Sequence, residues 1–224
     1  MRKQSRKTAR KVIDVIAAVT TWPIRAARLP QRSAPLLGDQ LAFLRGFLAH
    51  PEQVGSVVPS SAFLEQRLVR AAQLENARTV VELGPGTGGT TRAFLDALRP
   101  DARLLAIELS PVFHARLVDR ISDARLAVQL GSAEDIAELL RARRLPAPDV
   151  VLSGIPFSMI PAASADRIAA SIAKCLAPGG RFVAYQVRAR VAGFALPYLG
   201  QPQISWEWLN VPPLRVFRWT KPFV

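Results

Sequence analysis

Apolar and polar positions along this chain switch repeatedly between a helical period and the short period of strands. Over residues 7–22, Val12, Ile13, Val15, Ile16 and Val19 recur at helical spacing. Lys3, Lys7, Arg10, Lys11 and Asp14 take the other side, so an amphipathic helix is predicted. It should end at Trp22-Pro23, because the residue before a proline avoids the α region. Leu37, Leu41, Leu44, Phe47 and Leu48 predict a second helix over 36–49. The pair Ser60-Ser61 then offers an N-cap to a helix running to about Leu74. From Thr79 onward short β-branched runs alternate with helical stretches. Strands are predicted at 79–83, 104–107, 126–130, 149–152 and 181–187, and helices at 91–98, 133–141 and 163–176. Two further strand-like stretches, 203–209 and 214–220, flank Asn210-Val211-Pro212-Pro213. Repeated βα units imply an α/β fold with a mostly parallel sheet, helices on both faces, and a ligand site at the carboxyl ends of the strands.

Composition narrows this picture. At 224 residues and 24.5 kDa there is room for one domain with a short appendage, and 50% apolar with 21% charged residues excludes a disordered chain. A single cysteine, Cys175, excludes a disulfide framework, and His50 and His114 are too few for a zinc cluster. A reducing compartment is expected. The net charge of +13 is concentrated at the two ends. Residues 1–32 hold nine Lys/Arg against Asp14, residues 181–224 hold six against Glu207, and the stretch between is balanced.

All four tryptophans (Trp22, Trp206, Trp208 and Trp219) fall in these two basic segments. Tryptophan beside Arg/Lys is the composition of a surface that meets lipid headgroups; the alternative for Trp206 and Trp208 is the core of a strand. The apolar part of the first helix is far shorter than the ~20 residues needed to span a bilayer. Asp14 interrupts a signal-peptide core, and no cleavage site follows. Interfacial attachment fits better, each basic residue contributing about 1 kcal/mol near an anionic surface. An RNA-binding arm and a disordered tail are the alternatives.

The chemistry-bearing motif is Glu82-Leu83-Gly84-Pro85-Gly86-Thr87-Gly88, which joins a β-branched strand to a helix. Glycines at alternate positions let backbone approach a ligand closely. Glu108 closes the next strand twenty residues after Gly88, where an acidic side chain accepts from ribose hydroxyls.

This E-L-G-P-G-T-G loop, followed by Thr90 and Thr91, resembles the first motif of class I S-adenosylmethionine-dependent methyltransferases, as does the L-x-P-G-G turn at 176–180. The resemblance covers about residues 36–224. It implies a Rossmann-like, seven-stranded, mostly parallel sheet with helices on both faces, here with an N-terminal amphipathic helix added. Residues 1–32 would form a membrane-surface arm and 33–224 the methyltransferase domain.

A narrower resemblance, to bacterial phospholipid N-methyltransferases, rests on G-S-V-V-P-S-S, E-L-G-P-G-T-G, S-G-I-P-F and N-V-P-P in that order. It implies S-adenosyl-L-methionine as cofactor and phosphatidylethanolamine, with its partly methylated forms, as substrate. It also implies an anionic membrane surface as partner, at the cytoplasmic face of the cell membrane. Cofactor residues implied are Ser56, Glu82, Gly84, Pro85, Gly86, Thr87 and Gly88, then Glu108, Leu109, Ser132, Ala133, Glu134 and Ser153. The substrate pocket would draw on Ser153, Gly154, Ile155, Pro156 and Tyr185. Two departures from the family pattern stand out. An acidic residue usual after the third strand is replaced in Gly131-Ser132-Ala133, leaving Glu134 or Asp135 to take the adenine amine. Gln186-Val187-Arg188 stands where Thr or Tyr is common.

An ethanolamine amine titrating like lysine, near 10.4, costs about 4 kcal/mol to deprotonate at pH 7 unless the site lowers that value. A cationic cofactor and a partly apolar pocket would both do so. Backbone carbonyls of residues 153–157 are candidate acceptors for the amine, Phe157 is expected to close the pocket, and Tyr185 and His114 are conceivable proton acceptors. The rival enzyme class is the rRNA adenine dimethyltransferases, which use an Asn/Asp-x-Pro-aromatic motif where this chain has Gly154, and which carry an extra C-terminal helical domain. A small-molecule N-methyltransferase is a third reading. The non-enzyme alternative is a peripheral membrane-binding module, against which the intact glycine loop speaks.

Overall fold

The computed structural model describes residues 60–210 and 212–223. The helices expected over 7–22 and 36–49, and Ser56, lie outside the described residues. The described chain opens at α1 (Ala62–Ala72), capped by Ser61, whose Oγ accepts from Leu64 N at 3.2 Å. There follow β1 (Thr79–Leu83), α2 (Gly89–Ala97), β2 (Arg103–Glu108), α3 (Pro111–Arg120) and β3 (Leu126–Leu130). Next come α4 (Ile136–Ala142), β4 (Val150–Ser153), α5 (Ala162–Cys175), β5 (Arg181–Gln186), α6 (Arg190–Leu199), β6 (Gln203–Glu207) and β7 (Leu214–Thr220).

The seven strands form one sheet in the order β3-β2-β1-β4-β5-β7-β6. Every pair is parallel except those made by β7, which is antiparallel to both β5 and β6. Chain order reverses between β1 and β4, so a crevice opens where the crossovers leave in opposite directions. The inner strands β1, β2, β4 and β5 are mostly buried on both faces, and successive residues feed two cores. Val81, Leu105, Val151 and Phe182 pack beneath α4, α5 and α6, while Val80, Leu104, Leu152 and Val183 pack beneath α1 and α2. Among the described residues no helix is long and apolar enough to cross a membrane.

Two helices are additional to the sequence reading. α3 begins with a signal that was there to be used: Ser110 caps it and Pro111 occupies its first turn. α6 contains Gly193 and Pro197, both poor helix formers, and is held by tertiary packing through buried Val191 and Ala195. The tryptophans divide. Trp219 is a core residue, stacked on Phe182 at 4.9 Å, with its Nε1 donating to Gly200 O at 3.0 Å. Trp208 is exposed.

Candidate active site

The sheet register alone gathers the motif residues onto one rim. Leu83 pairs with Ile107 on one side and Ser153 on the other, and Glu108 pairs with Leu130. Ladder bonds continue past the strand ends: Gly84 N donates to Ile107 O at 2.9 Å, Gly154 N to Leu83 O at 3.0 Å, and Gly131 N to Glu108 O at 3.0 Å. The glycine loop, the Glu108-Leu109 corner, the Ser132-Ala133 turn and the Ser153–Pro156 turn are thereby neighbours across four strands.

Within the loop, Gly88 N closes a turn onto Pro85 O at 3.1 Å, and Gly88 packs under Leu117 of α3. Pro85 is buried and Thr87 is exposed. Gly86 has φ +58°, and a Cβ built there meets nothing within 4 Å. The residue needs the left-handed conformation that glycine tolerates, and its face is open.

Two buried carboxylates stand around this loop. Glu108 Oε2 accepts from Gly86 N at 3.0 Å and its Oε1 from Ser110 N at 2.8 Å. It therefore fixes the loop and still has lone pairs for two vicinal hydroxyls. Glu82 lies beneath the loop, its oxygens taken by the hydroxyls of Thr90 (2.6 Å) and Thr91 (2.7 Å) on α2. Burial pushes the Glu82 carboxyl up to about 7, the two threonine hydrogen bonds pulling the other way. Burial also raises Glu108, against the N–H groups of Ser110, Gly86 and Leu109.

This electrostatic setting tests what ligand fits. A dinucleotide pyrophosphate would meet carboxylates, and the Gly86 N–H that might bind it is already spent on Glu108. A nucleoside without phosphate and with a positive centre meets two acidic groups and an open glycine face. S-adenosylmethionine is such a ligand, and the residues present fit it.

The fourth-strand turn is shaped from behind. A Cβ at Gly154 would lie 2.6 Å from the Tyr185 hydroxyl and 3.0 Å from Gly84 O, so a side chain there would displace the tyrosine. Tyr185 sits beside Thr90, and burial with the nearby Glu82 charge raises its phenol, which disfavours the phenolate that the expected proton acceptor would need. Ser153 is fully buried and its Oγ accepts from Ile155 N at 3.2 Å, so it braces the turn. Ile155 O accepts from Gln186 Nε2 at 2.6 Å and from Phe157 N at 2.9 Å. Pro156 O accepts from Met159 N at 2.8 Å. Gly154 O has no partner among the described residues.

Phe157 does not close the pocket. It is fully buried under α6, tilted against Phe194 at 6.4 Å, because the backbone turns it into the core beneath the sheet. Glu134 is also engaged elsewhere: Arg167 of α5 takes both its oxygens, at 2.7 and 3.2 Å. Ser132 caps the short turn at Ala133–Asp135 through Glu134 N, at 3.2 Å. Leu109 is half-buried beside the loop, and His114 is half-buried on α3.

One residue the sequence reading passed over belongs here. Glu65, on the first turn of α1, brings its Oε1 to 3.8 Å from a Cβ built on Gly89, at the start of α2. It lies close enough to Tyr185 for its charge to raise the phenol further. Its carboxylate has no hydrogen-bond partner among the described residues, and partial burial raises it. No local signal in the sequence marks it; its approach to the loop is a product of α1 packing on α2.

Comparison with known proteins agrees with this geometry. A family model described as "Methyltransferase domain" matches residues 80–180. The chain is similar to an ornithine lipid N-methyltransferase of Singulisphaera acidiphila, 35% identical over 145 residues, covering 64% of this chain and 76% of the relative. It is also similar to ribosomal RNA small subunit methyltransferase A of Nocardia farcinica, 31% identical over 188 residues, covering 72% of this chain and 60% of that one. Among solved structures, the N-methyltransferase NodS of Bradyrhizobium japonicum superimposes with a TM-score of 0.57 at 14% identity, over 74% of this chain and 99% of that chain. The same protein has also been solved in complex with S-adenosyl-L-homocysteine.

Proposed function

We propose that this chain, which belongs to the class I S-adenosylmethionine-dependent methyltransferases, methylates the amine of a membrane lipid such as phosphatidylethanolamine. The coarser activity, methyl transfer to nitrogen with S-adenosylmethionine as cofactor, follows from the family and the relatives. Bound there, the cofactor supplies an electrophilic methyl group.

In this reading the chain's own residues hold and orient. The Gly84–Gly88 loop gives the cofactor close backbone approach, Glu108 takes its ribose hydroxyls, and Glu82 keeps the loop's helix in place through Thr90 and Thr91. Ser153–Pro156, braced by Gln186, presents the Gly154 carbonyl to an incoming amine. Glu65 offers a carboxylate to its positive charge. Little covalent help is required, because alignment of nucleophile and methyl supplies most of the rate. Residues 1–32 serve as a basic arm on an anionic, cytoplasm-facing membrane surface, with 33–224 as the methyltransferase domain.

The observation that carries the lipid-amine reading is the fourth-strand turn. A base-methylating site built on Asn or Asp needs a side chain where Gly154 has none, and Tyr185 already fills that space. The similarity to a lipid N-methyltransferase supports the same choice. Incubating the protein with labelled S-adenosylmethionine, phosphatidylethanolamine and ornithine-lipid vesicles, and ribosomal RNA in separate reactions tests it. Label is expected in an amine lipid. Label in RNA alone would overturn the reading in favour of a base methyltransferase.

A further inference from the structure

Methyl transfer to an amine needs the free lone pair, so an ammonium headgroup must first hand over a proton. The Gly154 carbonyl can accept a hydrogen bond from it but cannot keep the proton. A buried acid is reached from this turn through two hydroxyl groups. Glu82 is 1% exposed, and Thr90 Oγ1 donates to its Oε1 at 2.6 Å. Thr91 Oγ1 donates to its Oε2 at 2.7 Å, and no Arg or Lys pairs with it among the described residues. Side-chain hydrogen bonding ties the same Thr90 to the Tyr185 phenol. Tyr185 is half-buried, and its hydroxyl lies 2.6 Å from a Cβ built on Gly154. It therefore puts an oxygen where a side chain of residue 154 would begin, at the turn that receives the amine in the proposed function.

A hydroxyl donates one proton and accepts others, so this series can be wired in either direction. With Glu82 ionised, Tyr185 donates to Thr90 and Thr90 donates to Glu82. With Glu82 protonated, the acid donates to Thr90, Thr90 donates to the Tyr185 oxygen, and the phenol O–H turns toward Gly154. Passing from the first wiring to the second takes one proton delivered to Tyr185, and no phenolate forms.

We propose that Tyr185, Thr90 and Glu82 form a proton relay that takes the ammonium proton out of the site before methyl transfer. An N–H bond of the headgroup breaks as an O–H bond forms on Tyr185. The phenol proton passes to Thr90 Oγ1, and the Thr90 proton to Glu82 Oε1. The nitrogen keeps the electron pair that attacks the methyl group, and Glu82 returns its proton to solvent by the reverse path once product has left. Burial, with the Glu108 charge adding to it, pushes the Glu82 carboxyl up to about 7, closer to an amine near 10.4 than an ordinary carboxylate stands. Glu108 faces Glu82 from β2 and Glu65 faces Tyr185 from α1, so every charge bearing on the relay is acidic. The relay rests on the proposed function for an amine at this turn and is indifferent to the lipid that carries it.

The test uses the full chain and its Tyr185→Phe, Thr90→Val and Thr90→Ser variants, with thermal unfolding and cofactor calorimetry as checks on folding and binding. With a saturating, dispersed amine lipid, wild-type kcat should level off above about pH 7, where Glu82 is ionised. Tyr185→Phe and Thr90→Val should each lower kcat at pH 7 about 100-fold, with KM held within about two-fold. Their kcat should then climb about ten-fold per pH unit from 7 to 9, following the fraction of free amine. Thr90→Ser, which keeps a hydroxyl, should recover most of the loss. Wild-type kcat in Tyr185→Phe would overturn the relay. So would an equal loss at every pH, or no recovery by serine, either of which would mark a structural role. A second measurement needs no substrate: the infrared carboxylic-acid band that Glu82→Gln removes should shift in Tyr185→Phe as it does in Thr90→Val. A band unmoved by Tyr185→Phe would also overturn the relay. If the wild-type chain methylates no lipid, the proposed function fails, and this band still decides the relay.

Discussion

At Glu108 one carboxylate has two duties. It ties down Gly86 N and Ser110 N, and it retains lone pairs for a ribose. Glu108→Ala removes both, leaving two N–H groups without their acceptor. Cofactor affinity should drop by about 2 kcal/mol, read by titration calorimetry. Glu65 makes a separable prediction, because its carboxylate stands by Gly89 at the start of α2, where the proposed function brings the amine. Glu65→Gln should raise KM for the amine lipid about ten-fold, the scale of a partly screened charge-assisted contact, with cofactor affinity unchanged. These two residues also mark what a sequence can disclose. Gly84, Gly86 and Glu108 were legible because a strand, a turn and a helix are consecutive in the chain and impose their own residue types. Glu65, the Tyr185 contact behind Gly154 and the Gln186 brace on Ile155 join segments far apart in sequence, so nothing local marks them. Tyr185 was singled out as a possible base; it stands behind Gly154, where a Cβ would meet its hydroxyl, and its phenol is raised by burial and the nearby Glu82.

Between elements, the tie from β1 to α2 runs through a buried acid, and this gives the fold a pH signature. Glu82 titrates near 4.5 when unfolded and at about 7 when folded, so between these values the folded state holds the extra proton. Its contribution is complete below about 4.5, declines as pH rises and is spent above about 7, a change of about 3 kcal/mol. Glu108 adds a slope of the same sign. Denaturant unfolding between pH 5 and 7.5 should show stability decreasing for the native chain, and Glu82→Gln should flatten the curve to the part left by Glu108 and Glu65. Trp219 anchors the other edge of the sheet. Trp219→Ala loses a fully buried ring and the bond to Gly200 O, and should destabilise by about 3–5 kcal/mol in urea melts. The strand sequence was readable because the inner strands β1, β2, β4 and β5 are mostly buried on both faces and bounded by turn residues. α6 was not, since Gly193 and Pro197 argue against a helix and only packing on α5 and β7 overrides them. Phe157 misled for a related reason: an aromatic residue at the end of a motif looks like a lid, and one backbone turn sends it into the core.

For the whole molecule, charge is arranged by region. The balanced stretch builds β1 to β4 and the acidic site on their rim, while β5, β6 and β7 belong to the basic C-terminal segment. An acidic reaction centre favours a cationic cofactor and an ammonium substrate, which suits the proposed methyl transfer to a headgroup amine. The most direct measurement is mass spectrometry of lipids and ribosomal RNA from a bacterium that makes phosphatidylethanolamine but no methylated lipid, expressing either this chain or its Gly86→Val variant. The wild-type chain should add methyl groups to headgroup amines, and the variant, with a branched side chain in the open face of the loop, should add none. Unchanged lipids together with newly methylated ribosomal adenines would contradict the account.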